Sequence, residues 1–148
     1  MKKSFLFTPG PTPVPTDALL SMARPVDYHR SNEATEIINE CAQNLKHVFQ
    51  TENDVIILTS SGTGGMESAV VNTLSPKDRV IAIESGKFGK RWQEICTAYD
   101  LDVDHIQLEW GKAVPPEIVE ERLKKRPDTK AVLATLCETS TGCLHDIR

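Results

Sequence analysis

From Val55 onward, short apolar runs alternate with stretches of helical period, and this alternation is what most restricts the fold open to the chain. Strands are predicted near Val55–Thr59, Arg79–Ile83, Val103–Leu108 and Ala131–Leu136, and helices near Gly64–Leu74, Phe88–Tyr99 and Pro116–Arg126. Strands separated by helices cannot pair through tight hairpins. The order βαβαβαβ instead requires a parallel sheet covered by helices, joined by right-handed crossovers. The predicted class is α/β, with a mainly parallel sheet flanked by helices. In such sheets ligands gather at the carboxyl ends of the strands. Three loops arrive there: SSGTGG after the first strand, ESGKFGKRW after the second and CETSTG after the fourth.

The stretch from Val55 to Leu74 carries the sharpest chemical signal. It reads VIILT, then SSGTGG, then MESAVVNTL: a buried strand, a Ser/Gly/Thr-rich turn and an apolar helix. Such a turn aims the backbone N–H groups of Gly62, Thr63 and Gly64 at one point, with the positive end of the helix dipole behind them. Glycine lets the backbone approach an anion closely, and Ser61 and Thr63 add hydroxyl donors. On its own the turn is equally well a phosphate cradle or simply a tight βα connection. Glu67, just inside the helix, reads most simply as favourable pairing with the dipole.

Before the alternation lies a different kind of chain. Pro9, Pro11, Pro13 and Pro15 fall at every second position, and Pro25 begins a second extended patch. Proline fixes φ and removes a donor, so residues 1–30 are read as an extended arm that needs a surface to lie on, with a short helix near Thr16–Met22. The first long helix is predicted at Glu33–Gln50, from the period of Ile37, Ile38, Cys41, Ala42, Leu45, Val48 and Phe49. Residues 31–148 are read as one large domain.

Composition sets the outer limits. Hydrophobic residues make up 39% and charged residues 26% of 148, a soluble globular balance. A formal charge of −4 gives no basic footprint, which argues against nucleic acid as a partner. No apolar run reaches bilayer length, and the start, MKKSFLFTPG, turns to Pro and Gly too soon for a signal peptide. The expected location is the cytoplasm, with no membrane partner. Cys41, Cys96, Cys137 and Cys143 show no metal-ligand spacing, so no metal site is expected. Cys41 and Cys96 fall on apolar helix faces and read as buried structural thiols.

Taken together, FTPGPTPVP, YHRS, LTSSGTGGMESAVVN, ESGKFGKRW and CETSTG resemble, in order and spacing, the N-terminal part of class V aminotransferases. These are pyridoxal 5′-phosphate (PLP) enzymes of fold type I. The alanine–glyoxylate and serine–pyruvate branch fits best, and proteins described as the small subunit of a soluble hydrogenase belong to the same group. The resemblance implies that Ser61, Gly62 and Thr63 form the PLP-phosphate loop. It implies that Phe88 stacks on the pyridine ring and that Thr139 bonds the ring's phenolic oxygen. Gly10 matches a turn near the substrate, and His29 and Arg30 match a pair at the active-site mouth. Cys137 stands where many relatives have His or Asn. On spacing alone, Phe88 shares a core-like stripe with Trp92, Ile95, Cys96 and Tyr99, and Thr139 and Ser140 are ordinary turn residues.

The resemblance also implies what to expect of activity. In the family a Schiff-base lysine and an aspartate on the pyridine nitrogen follow ETSTG, and none of the ten lysines here sits in such a context. The chain therefore reads as an amino-terminal fragment, inactive alone, with its catalytic groups beyond residue 148. The expected parent is a homodimeric aminotransferase moving an amino group between alanine or serine and a 2-oxo acid such as glyoxylate or pyruvate. The alternatives are another fold type I PLP enzyme, a lyase or desulfurase, and a non-catalytic assembly fragment. A nucleotide-binding domain is weaker: SSGTGG lacks the P-loop lysine, and no G-x-G-x-x-G is present.

Overall fold

The computed structural model describes residues 5–147, so the first four residues of the arm and Arg148 lie outside the described residues. The chain divides into two compact units, Met1–Leu58 and Thr59–Arg148.

In the first unit, described residues before Thr16 form neither helix nor strand. Helix α1 (Thr16–Met22) and helix α2 (Asn32–Phe49) follow. Helix α2 begins where Ser31 can cap it: the Ser31 hydroxyl accepts from the N–H of Ala34 at 3.1 Å. It ends at Gln50, which turns into the left-handed region at φ 50°. No residue of α2 is buried, and Ile37, Ile38, Val48 and Phe49 stay exposed. This corrects the reading of Cys41 as a buried thiol. Its helical stripe is present, but Cys41 is exposed.

The predicted strand at Val55–Thr59 is also corrected. These residues form no ladder among the described residues, and Ile56 is 80% exposed. A strand exists only through a partner. β-branched propensity alone leaves Val55, Ile56 and Ile57 an unpaired apolar segment.

The second unit holds the α/β core. Helix α3 (Gly62–Thr73) precedes strand β1 (Arg79–Glu84), helix α4 (Lys87–Ala98), strand β2 (Asp102–Gln107), helix α5 (Pro116–Lys125) and strand β3 (Ala131–Leu133). The three strands are parallel in the order β2-β1-β3, with Val80 opposite Val103 on one side and Ala131 on the other. Central β1 reads RVIAIE, an apolar run suited to burial on both faces. Its alternation feeds two cores. Val80 joins Val70, Ile95, Cys96 and Leu101 beneath α3 and α4. Ile81 and Ile83 join Ile106 and Val114 on the other face, with Ile118 and Val119 of α5. Burial pushes the Cys96 thiol up, as expected for an inert core sulfur.

The fourth predicted strand divides. β3 stops at Leu133, and the chain continues into a small antiparallel hairpin, β4 (Cys137–Glu138) and β5 (Cys143–Leu144). Its turn takes Gly142 at φ 72°, where the left-handed conformation favours glycine. CETSTG is thus the tip of a hairpin rather than a loop ending a long strand.

Candidate active site

At the carboxyl end of the sheet, the second unit encloses an open cavity of about 450 Å³. One wall is the entrance of α3, with Ser61, Gly62, Thr63 and Met66. Facing it are Phe88 and Trp92 of α4, Ala134 and Thr135 after β3, and Thr139 of the hairpin tip.

The α3 entrance is built as a donor site. Ser61 is its N-cap in extended conformation (φ −83°, ψ 173°), and its side chain makes no capping hydrogen bond. The first N–H groups of any helix lack acceptors within the helix. The N–H of Gly64 donates to the carbonyl of Ser61 at 2.9 Å, so the loop does not offer all three amides to a ligand. Those of Gly62 and Thr63 have no acceptor among the described residues. Two amides, backed by the helix dipole, remain available to an anion. Gly64 serves packing instead: a Cβ there would sit 2.0 Å from the Ser60 hydroxyl oxygen, whereas one at Gly62 would meet nothing within 4 Å.

The α4 wall is held by a buried carboxylate. Glu138 has no exposed surface. It accepts from the N–H of Phe88 at 3.1 Å, from the N–H of Gly89 at 2.8 Å, and from the Ser140 hydroxyl and N–H at 2.6 and 3.2 Å. Ser140 in turn accepts from the N–H of Lys87 at 2.9 Å. The first three amides of α4 therefore end on the hairpin tip. Burial pushes the Glu138 carboxyl up, but the hydrogen bonds from Ser140, Gly89 and Phe88 outweigh it and hold the group below the usual carboxylate range. Gly86 makes room for this, since a Cβ there would lie 2.4 Å from Cγ of Glu138.

The predicted core stripe along α4 proves graded. Ile95 and Cys96 are buried, Trp92 is partly buried, and Phe88 at the helix entrance is 42% exposed on the cavity. Glu67 does more than sit near a dipole: it accepts from the Tyr99 hydroxyl, tying α3 to the end of α4.

A second polar knot lies behind the hairpin. His145 is buried, with Nδ1 accepting from the N–H of Val114 at 3.2 Å and Nε2 lying 2.6 Å from the Ser85 hydroxyl. Because Nδ1 accepts, Nε2 carries the proton and donates to Ser85. This histidine is a tie rather than a base poised on a serine. Glu84 is similarly engaged, accepting from Trp110 Nε1 at 3.2 Å. His105 Nε2 lies 3.0 Å from its other oxygen but off line for a hydrogen bond.

Ser61, Gly62, Thr63, Phe88 and Thr139 are thus brought to one cavity. Gly10 belongs to the other unit, in an exposed bend where the Thr8 hydroxyl donates to the Pro11 carbonyl at 3.0 Å. His29 and Arg30 are exposed just before α2. Sequence reasoning missed Met66, Thr135 and Glu138 and took Trp92 for core. Trp92 follows Phe88 by one helical turn and could have been found from that spacing. Glu138 carries no local signal, since its α4 partners lie 49 and 50 residues away.

The family description Aminotransferase class-V matches residues 5–148. The chain is 44% identical over 147 residues to the soluble hydrogenase 42 kDa subunit of Anabaena cylindrica, covering 98% of this chain and 38% of that protein. It is 35% identical to the serine–glyoxylate aminotransferase of Methylorubrum extorquens, covering 98% of this chain and 37% of the relative. It superposes on an aspartate aminotransferase of subgroup IV from Thermus thermophilus with a TM-score of 0.88 at 36% identity, covering 97% of this chain and 40% of that one. The chain therefore spans about two fifths of the length of such proteins. Class V enzymes use PLP and share fold type I, the architecture of this α/β unit. With residues 5–148 matching the family throughout, the chain belongs to the class V aminotransferases.

Proposed function

We propose that the protein carrying this chain is a PLP-dependent aminotransferase that moves an amino group between alanine or serine and glyoxylate or pyruvate. One observation supports this above the rest: open amides at Gly62 and Thr63, an exposed aromatic face at Phe88 and a hydroxyl at Thr139 line the same cavity. A phosphate needs the first, a planar ring the second and a phenolic oxygen the third. The cavity volume is of the size that small cofactors occupy.

In this reading the Gly62 and Thr63 amides and the Ser61 and Thr63 hydroxyls hold the phosphate. Phe88 lies against the ring and Thr139 orients it. The cofactor, when bound, supplies the electron sink that stabilises negative charge at the amino acid's Cα. The nine lining residues contain no group that titrates near neutrality. They bind and orient but cannot move the proton that transamination requires. The working enzyme is proposed to be a cytoplasmic homodimer. No described helix is long and apolar enough to cross a membrane.

Two measurements test the reading. The 148-residue chain should bind PLP and form no glycine from glyoxylate with alanine or serine, while the protein that carries it should form glycine with both. Replacing Ser61 and Thr63 together by Ala should weaken PLP binding about tenfold or more, as loss of charge-assisted hydrogen bonds does. Unchanged binding in that variant would remove the phosphate-loop assignment.

A further inference from the structure

We propose that Glu138 is a positioning residue: its buried carboxylate locks the Phe88 wall and the Thr139 wall of the cavity into one rigid unit. The inference rests on the reading of this cavity as the cofactor site.

Glu138 is placed between the two walls. Through the N–H groups of Phe88 and Gly89 it holds the first turn of α4, and so the backbone from which the Phe88 ring projects. Thr139 is its immediate neighbour, and Ser140 bonds the same carboxylate with both hydroxyl and N–H. Each oxygen is already committed. Oε2 takes the Phe88 and Gly89 amides, and Oε1 takes Ser140 and a share of Phe88. The group is fully buried, so water cannot replace a lost partner. Gly86 and Gly89 reinforce this reading. A Cβ at Gly86 would collide with Glu138, and one at Gly89 would lie 2.7 Å from the carbonyl oxygen of Ile83. The chain keeps both positions bare where the carboxylate and the end of β1 press on the helix entrance.

Glu138 does not itself line the cavity. It acts through Phe88 and Thr139. A merely structural cap would stabilise the fold without affecting which way these two residues face a ring. A positioning group affects both.

The test uses pyridoxine 5′-phosphate, which has the ring and phosphate but no aldehyde and so reports the non-covalent site alone. Binding is followed by quenching of tryptophan fluorescence, Trp92 being in the cavity wall. Glu138→Gln keeps the shape but sets an amide NH₂ against the backbone donors. In the full chain it should weaken pyridoxine 5′-phosphate about tenfold and leave inorganic phosphate, held at α3, within twofold. Phe88→Ala should cost about tenfold, the scale of a lost aromatic stack. The double variant should lose less than the two single losses combined, because part of what Glu138 does is done through Phe88 and only the part through Thr139 remains to be lost. If Phe88→Ala weakens binding while Glu138→Gln does not, or if the two effects add, Glu138 is only a helix cap and the inference falls. If Phe88→Ala binds as tightly as the parent, the cofactor reading of the cavity falls, and the positioning role with it. Should Glu138→Gln fail to fold by circular dichroism, Ser140→Ala serves in the same cycle. It removes one of the carboxylate's hydrogen bonds and should weaken pyridoxine 5′-phosphate two- to threefold.

Discussion

At the scale of single residues, the site divides into groups a reader of the sequence can find and groups it hides. Ser61, Gly62 and Thr63 sit in a short polar turn after an apolar run, where local composition marks a candidate anion loop, whereas Thr139 is marked only by the family resemblance of ETSTG. Glu138 carries no such mark, because a carboxylate in a loop looks solvated until the fold brings the amides of Phe88 and Gly89 to it. Its depressed pKa makes a signed prediction. A carboxylate held below its unfolded value stabilises the fold fully above that value, about 4.3, and loses the contribution as pH falls through the folded pKa. The stability gap between the parent and Glu138→Gln should therefore be widest near pH 6 and narrow in acid, as urea midpoints across pH would show. A gap independent of pH would mean that the charge contributes nothing. The glycines give a second test. Gly89→Ala should cost about 1–3 kcal/mol, since its Cβ meets backbone that cannot move aside. Gly62→Ala meets open space and should stay within about 0.5 kcal/mol in thermal melts.

At the scale of elements, periodicity located every long helix to within a few residues but misjudged two strands. Helices α2, α4 and α5 carry their own evidence: the apolar stripe, the Ser31 cap, and Pro116 at the start with Arg122, Lys124 and Lys125 in the last turn. A strand carries only half of its evidence, since the other half is the neighbour it pairs with. Val55–Thr59 has the composition of a strand and no partner among the described residues, whereas β1 has one on each side. The same asymmetry separates their energetics. Ile81 is fully buried at the centre of the sheet, so Ile81→Ala should destabilise the chain by about 2–5 kcal/mol through lost burial and a cavity. Ile56→Ala, at an exposed position, should change it by less than about 0.5 kcal/mol. Chemical denaturation of both variants compares them directly, and equal losses would show that the Val55–Thr59 segment is buried in solution.

At the scale of the molecule, the second unit closes two cores around β1, while the first keeps its apolar side chains at the surface. Phe7, Ile37, Ile38, Val48 and Phe49 are exposed, and no residue of α1 or α2 is buried. The second unit in turn leaves an apolar groove of about 500 Å³ along α5, bordered by Ile83, Val119, Leu123, Val132 and Ile147. Exposed apolar area on this scale drives association, and a net charge of −4 offers little repulsion against it. The 148-residue chain should therefore associate at micromolar concentration, with sedimentation showing species larger than a monomer. In the protein that carries it, the proline arm is proposed to lie in the dimer interface. Its alternating prolines leave it few amide donors and no regular structure, so Leu6, Phe7 and Val14 must be covered by something other than the arm itself. Deleting residues 1–15 should then weaken dimerisation and lower activity together, as a site completed by both subunits requires. If the shortened enzyme sediments as a dimer of unchanged affinity, the arm packs on its own subunit and has no part in the interface.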